Sequence, residues 1–77
     1  MDKIRKFLLS LSKNERAVLL QIFADIRRWK IENYDVKVLK GHKGFFRLRK
    51  GKMRIVFTKN GDIGIVINIG YRKDIYK

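Results

Sequence analysis

The sequence predicts an α+β domain in which an N-terminal helical hairpin packs on a small antiparallel sheet of three or four strands. Three observations carry this reading. Apolar residues recur with helical spacing through the first thirty positions, and they alternate with period two from Phe45 onward. Between the alternating runs stand Gly51 and Gly61, the punctuation of hairpin turns. At 77 residues the chain is read as one domain, spanning 1–77. A chain of this size buries only ~60% of its unfolded surface, so every well-placed apolar residue counts.

The first element follows from Ile4, Phe7, Leu8 and Leu11, spaced i, i+3, i+4 and i+7, with Lys3, Arg5, Lys6 and Ser10 on the wet side. Ser12-Lys13-Asn14-Glu15 then has the S-x-x-E spacing of a capping box, which starts a second helix. Val18, Leu19, Ile22, Phe23, Ile26 and Trp29 form its apolar stripe. A membrane-surface role for this helix is disfavoured by Glu15, Asp25 and Glu32 among its charges. Glu32-Asn33-Tyr34-Asp35 reads as a turn, and Val36-Lys37-Val38-Leu39 as a brief extended run ending at Lys40-Gly41. His42 has no Cys, His or carboxylate cluster near it in sequence, so it reads as a loop residue and no metal or cofactor is expected.

The hairpin at Phe45–Phe57 organises the rest. With Gly51-Lys52 as a two-residue loop, Arg49 stands opposite Arg54, Leu48 opposite Ile55, Arg47 opposite Val56 and Phe46 opposite Phe57. One face then carries Phe46, Leu48, Ile55 and Phe57, and the other Arg47, Arg49, Arg54 and Val56. Opposed like charges cost a few tenths of a kcal/mol to ~1 kcal/mol, so something must offset them. A third strand follows in Ile63–Gly70. A three-residue loop Lys59-Asn60-Gly61 with a bulge is expected, pairing Phe57 with Ile63, Ile55 with Ile65 and Met53 with Ile67. That register puts the isoleucines in the core and leaves Val56, Gly64, Val66 and Asn68 as a floor around the arginines. Arg72 shares the parity of Asn68 and would join them.

Charge supports an anion-binding surface. Twenty Lys and Arg against seven Asp and Glu give a net +13, and between Lys37 and Gly61 there are nine basic residues and no acidic one. Such a field draws polyanions, of which nucleic acid is the commonest in cells. A solvated sheet face on a basic protein is the competing reading. There is no cysteine, no secretory leader pattern and no run near the ~20 apolar residues of a membrane span. A soluble protein of the cytoplasm is therefore expected.

Leu39-Lys40-Gly41, Phe46-Arg47-Leu48-Arg49-Lys50-Gly51-Lys52-Met53-Arg54 and Gly70-Tyr71-Arg72-Lys73-Asp74-Ile75-Tyr76 together resemble the RelE/ParE toxin superfamily of toxin-antitoxin systems. The shared pattern is a leucine-glycine pair, an aromatic-R-L-R-x-G-x-x-R hairpin and a terminal G-x-R-x-x-x-Y. The resemblance to the RelE branch implies a ribosome-dependent endoribonuclease that cuts mRNA by attack of a ribose 2′-OH on the adjacent phosphodiester. It implies catalytic roles for Arg47, Arg49, Arg54, Arg72 and Tyr76, and RNA contacts by Lys43, Lys50, Lys52, Lys73 and Tyr71. Arginine suits the charge stabilisation such a reaction needs but is a poor general base; Tyr76 would have to serve, with its pKa depressed by cations.

By the same resemblance the partners are a cognate antitoxin, mRNA and the ribosome. Related toxins open with an edge strand that this chain lacks before its first helix, so strand addition by a partner or second copy is also expected. Two alternatives stand beside this one. A ParE-like toxin would inhibit a topoisomerase without cutting RNA. A non-catalytic nucleic-acid-binding module would use the basic face with Trp29, Tyr71 and Tyr76 as stacking contacts.

Overall fold

The computed structural model describes residues 2–41 and 43–71. Helix α1 (Lys3–Ser10) is capped by Asp2, whose carboxylate accepts from the Ile4 N–H at 2.8 Å. Helix α2 (Lys13–Arg27) begins with the expected capping box. The Glu15 N–H donates to Ser12 Oγ at 3.2 Å, and the Ser12 N–H donates to Glu15 Oε1 at 3.0 Å. The Ser12 N–H first, and its hydroxyl second, favour the charged form and hold the Glu15 carboxyl below its ordinary pKa. Arg16 ties the two helices together: its Nε and Nη2 donate to the Leu8 and Leu11 carbonyls, each at 3.0 Å. The Leu8 carbonyl in the last turn of α1, which also accepts from the Leu11 N–H, and the carbonyl of the cap residue Leu11 are thus bonded from α2.

α2 ends in an unusual way. The Lys30 N–H reaches the Asp25 carbonyl at 2.8 Å and the Trp29 N–H reaches Ile26 at 3.0 Å, the bond pair of a Schellman motif. The left-handed residue this motif needs is normally glycine. Here it is Trp29, at φ 58°. An L-residue in that conformation costs roughly 1–2 kcal/mol, and the indole's packing offsets it: Trp29 meets Phe46 and Phe57 at centroid distances of 5.4 and 5.6 Å, with Lys59 Nζ 4.8 Å above its ring.

Four antiparallel strands follow in spatial order β1-β2-β3-β4: β1 (Asp35–Val38), β2 (Phe45–Lys50), β3 (Met53–Asn60) and β4 (Ile63–Tyr71). The chain itself thus supplies the fourth strand, and Asp35 lies in it rather than in a turn. β2 and β3 pair in the expected register, Arg49 with Arg54 and Leu48 with Ile55. Gly51 closes their turn at φ 59°, the first central position of a type II′ loop.

The β3–β4 register departs from expectation. The loop is the two-residue Gly61-Asp62, pairing Asn60 with Ile63, Thr58 with Ile65 and Phe57 with Val66. A bulge at Ile67 then resets the phase, so that Val56 meets Asn68 and Ile55 meets Ile69. Gly64 and Val66 therefore face the helices, while Ile63 and Ile65 face outward at 45% and 40% exposure. The physical reason is steric. A Cβ built on Gly64 would lie 2.0 Å from the Ile26 carbonyl oxygen, so the end of α2 leaves no room for an isoleucine beneath β4.

The helices jointly cover one face of the sheet. Leu19, Ile22 and Ile26 of α2 and Leu11 bury against Leu48, Ile55, Phe57 and Ile69. Full burial of each such side chain contributes about 1.5–3 kcal/mol relative to exposure. Val18, placed in the stripe by its spacing, is instead half exposed and lines an open groove with Tyr34 and Lys50. Tyr34 donates its hydroxyl to Asp25 on α2, which anchors the connection into β1 and pushes the tyrosine pKa up to about 12. No described helix is long and apolar enough to cross a membrane.

Candidate anion-binding face

Register alone defines the outward face of the sheet, since directly paired residues share a side. Across it run four rows. Asp35, Arg49, Arg54 and Gly70 make one, Lys37, Arg47, Val56 and Asn68 the next, Phe45, Thr58 and Ile65 the third, and Asn60 and Ile63 the last. The face is thus divided. Its end by the Gly51-Lys52 turn is basic, and its end by the Gly61-Asp62 turn is apolar. Of the expected floor, Val56 and Asn68 lie here; Gly64 and Val66 do not, and isoleucines take their place.

The opposed arginines are balanced within the chain in two different ways. Arg49 Nη2 forms an ion pair with Asp35 Oδ2 at 2.8 Å, directly across the β1–β2 ladder, and Arg47 Nη2 stands 3.9 Å from Asp35 Oδ1. Arg54 turns away. Its Nη1 donates to the Gly51 and Met53 carbonyls, both at 3.1 Å, and the residue is only 8% exposed. Burial of a charged group is tolerated where hydrogen bonds replace its water, and here the bonds also brace the β2–β3 turn. Arg49 stays half exposed while the Arg47 side chain is largely covered.

Asp35 is the residue that sequence reading missed. Its signal was available: a strand at Val36–Val38 paired with β2 through the Leu39–Gly44 loop puts position 35 opposite Arg49. What hid it was the polar run Glu32-Asn33-Tyr34-Asp35, which reads as a turn.

Arg47, Arg49 and Arg54 are brought to one face. Arg72, Lys73 and Tyr76 lie outside the described residues. Lys43 is exposed in the loop before β2, and Lys52 in the Gly51-Lys52 turn. Lys50 and Tyr71 sit elsewhere. Lys50 has the parity of Leu48 and lines a groove with Val18 and Tyr34 on the helix side. Tyr71 pairs with Met53 and packs on Phe7 at 5.4 Å, also on the helix side. Among the described residues no group of three His, Cys, Asp or Glu could hold a metal ion.

The arrangement can bind anions. Arg47 and Arg49 face the Asp35 carboxylate, Lys37 shares their side of the sheet, and Arg49 can exchange Asp35 for a phosphate with little reorganisation. Comparison with protein-family profiles, curated proteins and solved structures gives no match for this chain. Fold and site define a small α+β domain with a basic sheet face.

Proposed function

We propose that this chain is a RelE-like toxin that binds RNA on the outward face of its sheet and cleaves mRNA on the ribosome. The observation that supports it is the gathering of Arg47, Arg49 and Arg54 in adjacent rows at one end of that face, where the Asp35 carboxylate meets the first two. In this reading Arg47 and Arg49 hold the phosphodiester and its developing charge. The bonds of Arg54 to Gly51 and Met53 give it a bracing role beside any phosphate contact. Arg72 would act near the leaving oxygen, and Tyr76 would position or deprotonate the nucleotide.

The chain would be held inactive by an antitoxin whose acidic or amphipathic segment covers the basic face. Expression without that partner should arrest growth and leave transcripts cut within coding frames. Intact transcripts in arrested cells would overturn the reading, as would undiminished cutting by a protein carrying Arg72→Ala and Tyr76→Phe.

A second reading, a non-catalytic nucleic-acid-binding module, is favoured by the internal pairing of the arginines. Groups already balanced by Asp35 and by turn carbonyls suit reversible, salt-sensitive binding. Growth unaffected by high expression, together with steeply salt-dependent RNA binding in vitro, would establish it.

A further inference from the structure

A bulge turns Asn68 onto the arginine face. In the first half of β4 the even-numbered residues Gly64 and Val66 face the helices, and an unbroken strand would send Asn68 after them. The extra residue Ile67 shifts the phase, so that Asn68 pairs with Val56 and joins the row of Lys37 and Arg47. Bulges are frequent beside binding sites, where they re-aim a side chain. The side chain delivered here is a half-buried amide, the one neutral hydrogen-bonding group in that row.

The backbone sets the orientation of this amide. The Ile69 N–H donates to Asn68 Oδ1 at 2.9 Å. An N–H can bond only the carbonyl end of a carboxamide, so Nδ2 is at the opposite end, and it has no hydrogen-bond partner among the described residues. The outward side chains immediately around it offer no acceptor. Val56 is apolar and Gly70 has no side chain; Arg47 and Arg54 carry only donors, and Arg54 is drawn off to the Gly51 and Met53 carbonyls. The carboxylate of these rows, Asp35, is on the opposite edge strand and holds Arg49. The bond from Ile69 does not by itself call for asparagine, since an aspartate would accept it equally well. What asparagine adds is a donor.

Arg47 and Asn68 stand two strand spacings apart, roughly 10 Å, about the reach of a nucleotide from its phosphate to the far edge of its base. We infer that Asn68 is a specificity-determining residue of the RNA face: with a phosphate on Arg47, its Nδ2 donates to the exocyclic carbonyl of a keto base, O4 of uracil or O6 of guanine. An amino group in the same place, N4 of cytosine or N6 of adenine, would set donor against donor. The usual bidentate pairing of asparagine with adenine needs both ends of the amide, and here the backbone holds one of them. The inference rests on the RNA-binding reading of this face and is independent of whether the RNA is cut.

The test is fluorescence anisotropy with labelled oligouridine and oligocytidine of equal length, whose phosphates present the same charge. The native chain should bind the uridine oligomer roughly 3- to 10-fold more tightly, the worth of one hydrogen bond. Asn68→Asp keeps an acceptor for the Ile69 N–H and replaces the donor by a second acceptor. The ratio should then fall to one or below, even though the new charge weakens binding of both oligomers. Lys37→Gln, in the same row, should weaken both alike and leave the ratio unchanged, and thermal melts check that both variants fold. An oligomer of pyrimidin-2-one ribonucleosides removes the 4-carbonyl from the ligand and should lose most of the uridine advantage on the native chain, a check that needs no variant. A native ratio near one would overturn the role of Asn68 while leaving RNA binding intact. So would a uridine preference that survives Asn68→Asp in a folded protein, or that survives loss of the 4-carbonyl. Binding of neither oligomer would instead remove the RNA reading of the face, and the inference with it.

Discussion

Asp35→Asn probes the basic face most directly. In the native chain Asp35 holds Arg49 at 2.8 Å and stands 3.9 Å from Arg47, with its own side chain about a third exposed. Partly exposed ion pairs of this kind contribute about 0.2–1 kcal/mol, so the substitution should cost the fold less than ~1 kcal/mol. The same quantity is what a phosphate must overcome to take Arg49 from the carboxylate. Removing Asp35 should therefore raise affinity for single-stranded RNA by up to ~5-fold, as 1.4 kcal/mol corresponds to about tenfold.

Salt dependence gives a second, independent number. Each additional phosphate neutralised on a single strand steepens the slope of log K against log salt by ~0.7. Freeing Arg49 alone predicts about 0.7, and freeing Arg47 as well about 1.4. Anisotropy with a labelled oligouridine, titrated between ~50 and ~200 mM salt, measures both quantities. Adding Arg49→Gln to the Asp35→Asn protein should abolish most of the gain. Unchanged affinity and slope in the single variant would show that phosphates do not contact these arginines, and the anion-binding reading of this face would fall.

Three further outcomes follow from the packing. Gly64→Ala should destabilise by more than the ~1–3 kcal/mol usual for overpacking, because its Cβ meets backbone at Ile26 rather than a movable side chain; the urea midpoint reports it. Trp29→Ala should lose ~3–5 kcal/mol of packing, yet Trp29→Gly should be about 1 kcal/mol more stable than the alanine variant, since glycine adopts φ 58° without strain. Equal stability of the two would refute the left-handed assignment. Tyr34, raised to about 12, should ionise well above the ordinary tyrosine value in an ultraviolet titration, and Asp25→Asn should lower its pKa. Below pH ~10 the hydroxyl is neutral in both folded and unfolded chains, so its contribution to stability is whole. Between ~10 and 12 the unfolded chain loses its proton first, and that contribution declines.

Much of this architecture is legible in the sequence, for identifiable reasons. The capping box at Ser12 and Glu15 is a local motif whose bonds involve its own backbone, so nothing distant can overrule it. The β2–β3 register was fixed by burial, because a one-residue slip would bury Arg47 and Arg49 in place of Leu48. The β3–β4 register was not. Glycines and isoleucines alternate there, and the deciding contact is the approach of Ile26 to Gly64, between positions far apart in the chain. Two parts of the site escaped for the same reason. Asp35 is functional only through its cross-strand neighbour, and Tyr71 is drawn to Phe7 by α1. The gathering of Arg47, Arg49 and Arg54 needed only parity, which is why it could be read.

The bulge at Ile67 divides β4 into two segments read in different frames. Before it, odd-numbered positions such as Ile63 and Ile65 face outward; after it, Ile69 and Tyr71 face the helices. Ile67 is the hinge of that shift, the residue left without a partner on β3. Loss of one residue elsewhere in β4 would invert everything downstream and turn Ile69 out of the core. Loss of Ile67 itself would bring Val66 and Asn68 into line with Phe57 and Val56 and leave both frames intact. The same strand is therefore tolerant of a change in length at one position and intolerant at its neighbours, and Ile67 is where a spacer residue can enter or leave without moving the arginine rows.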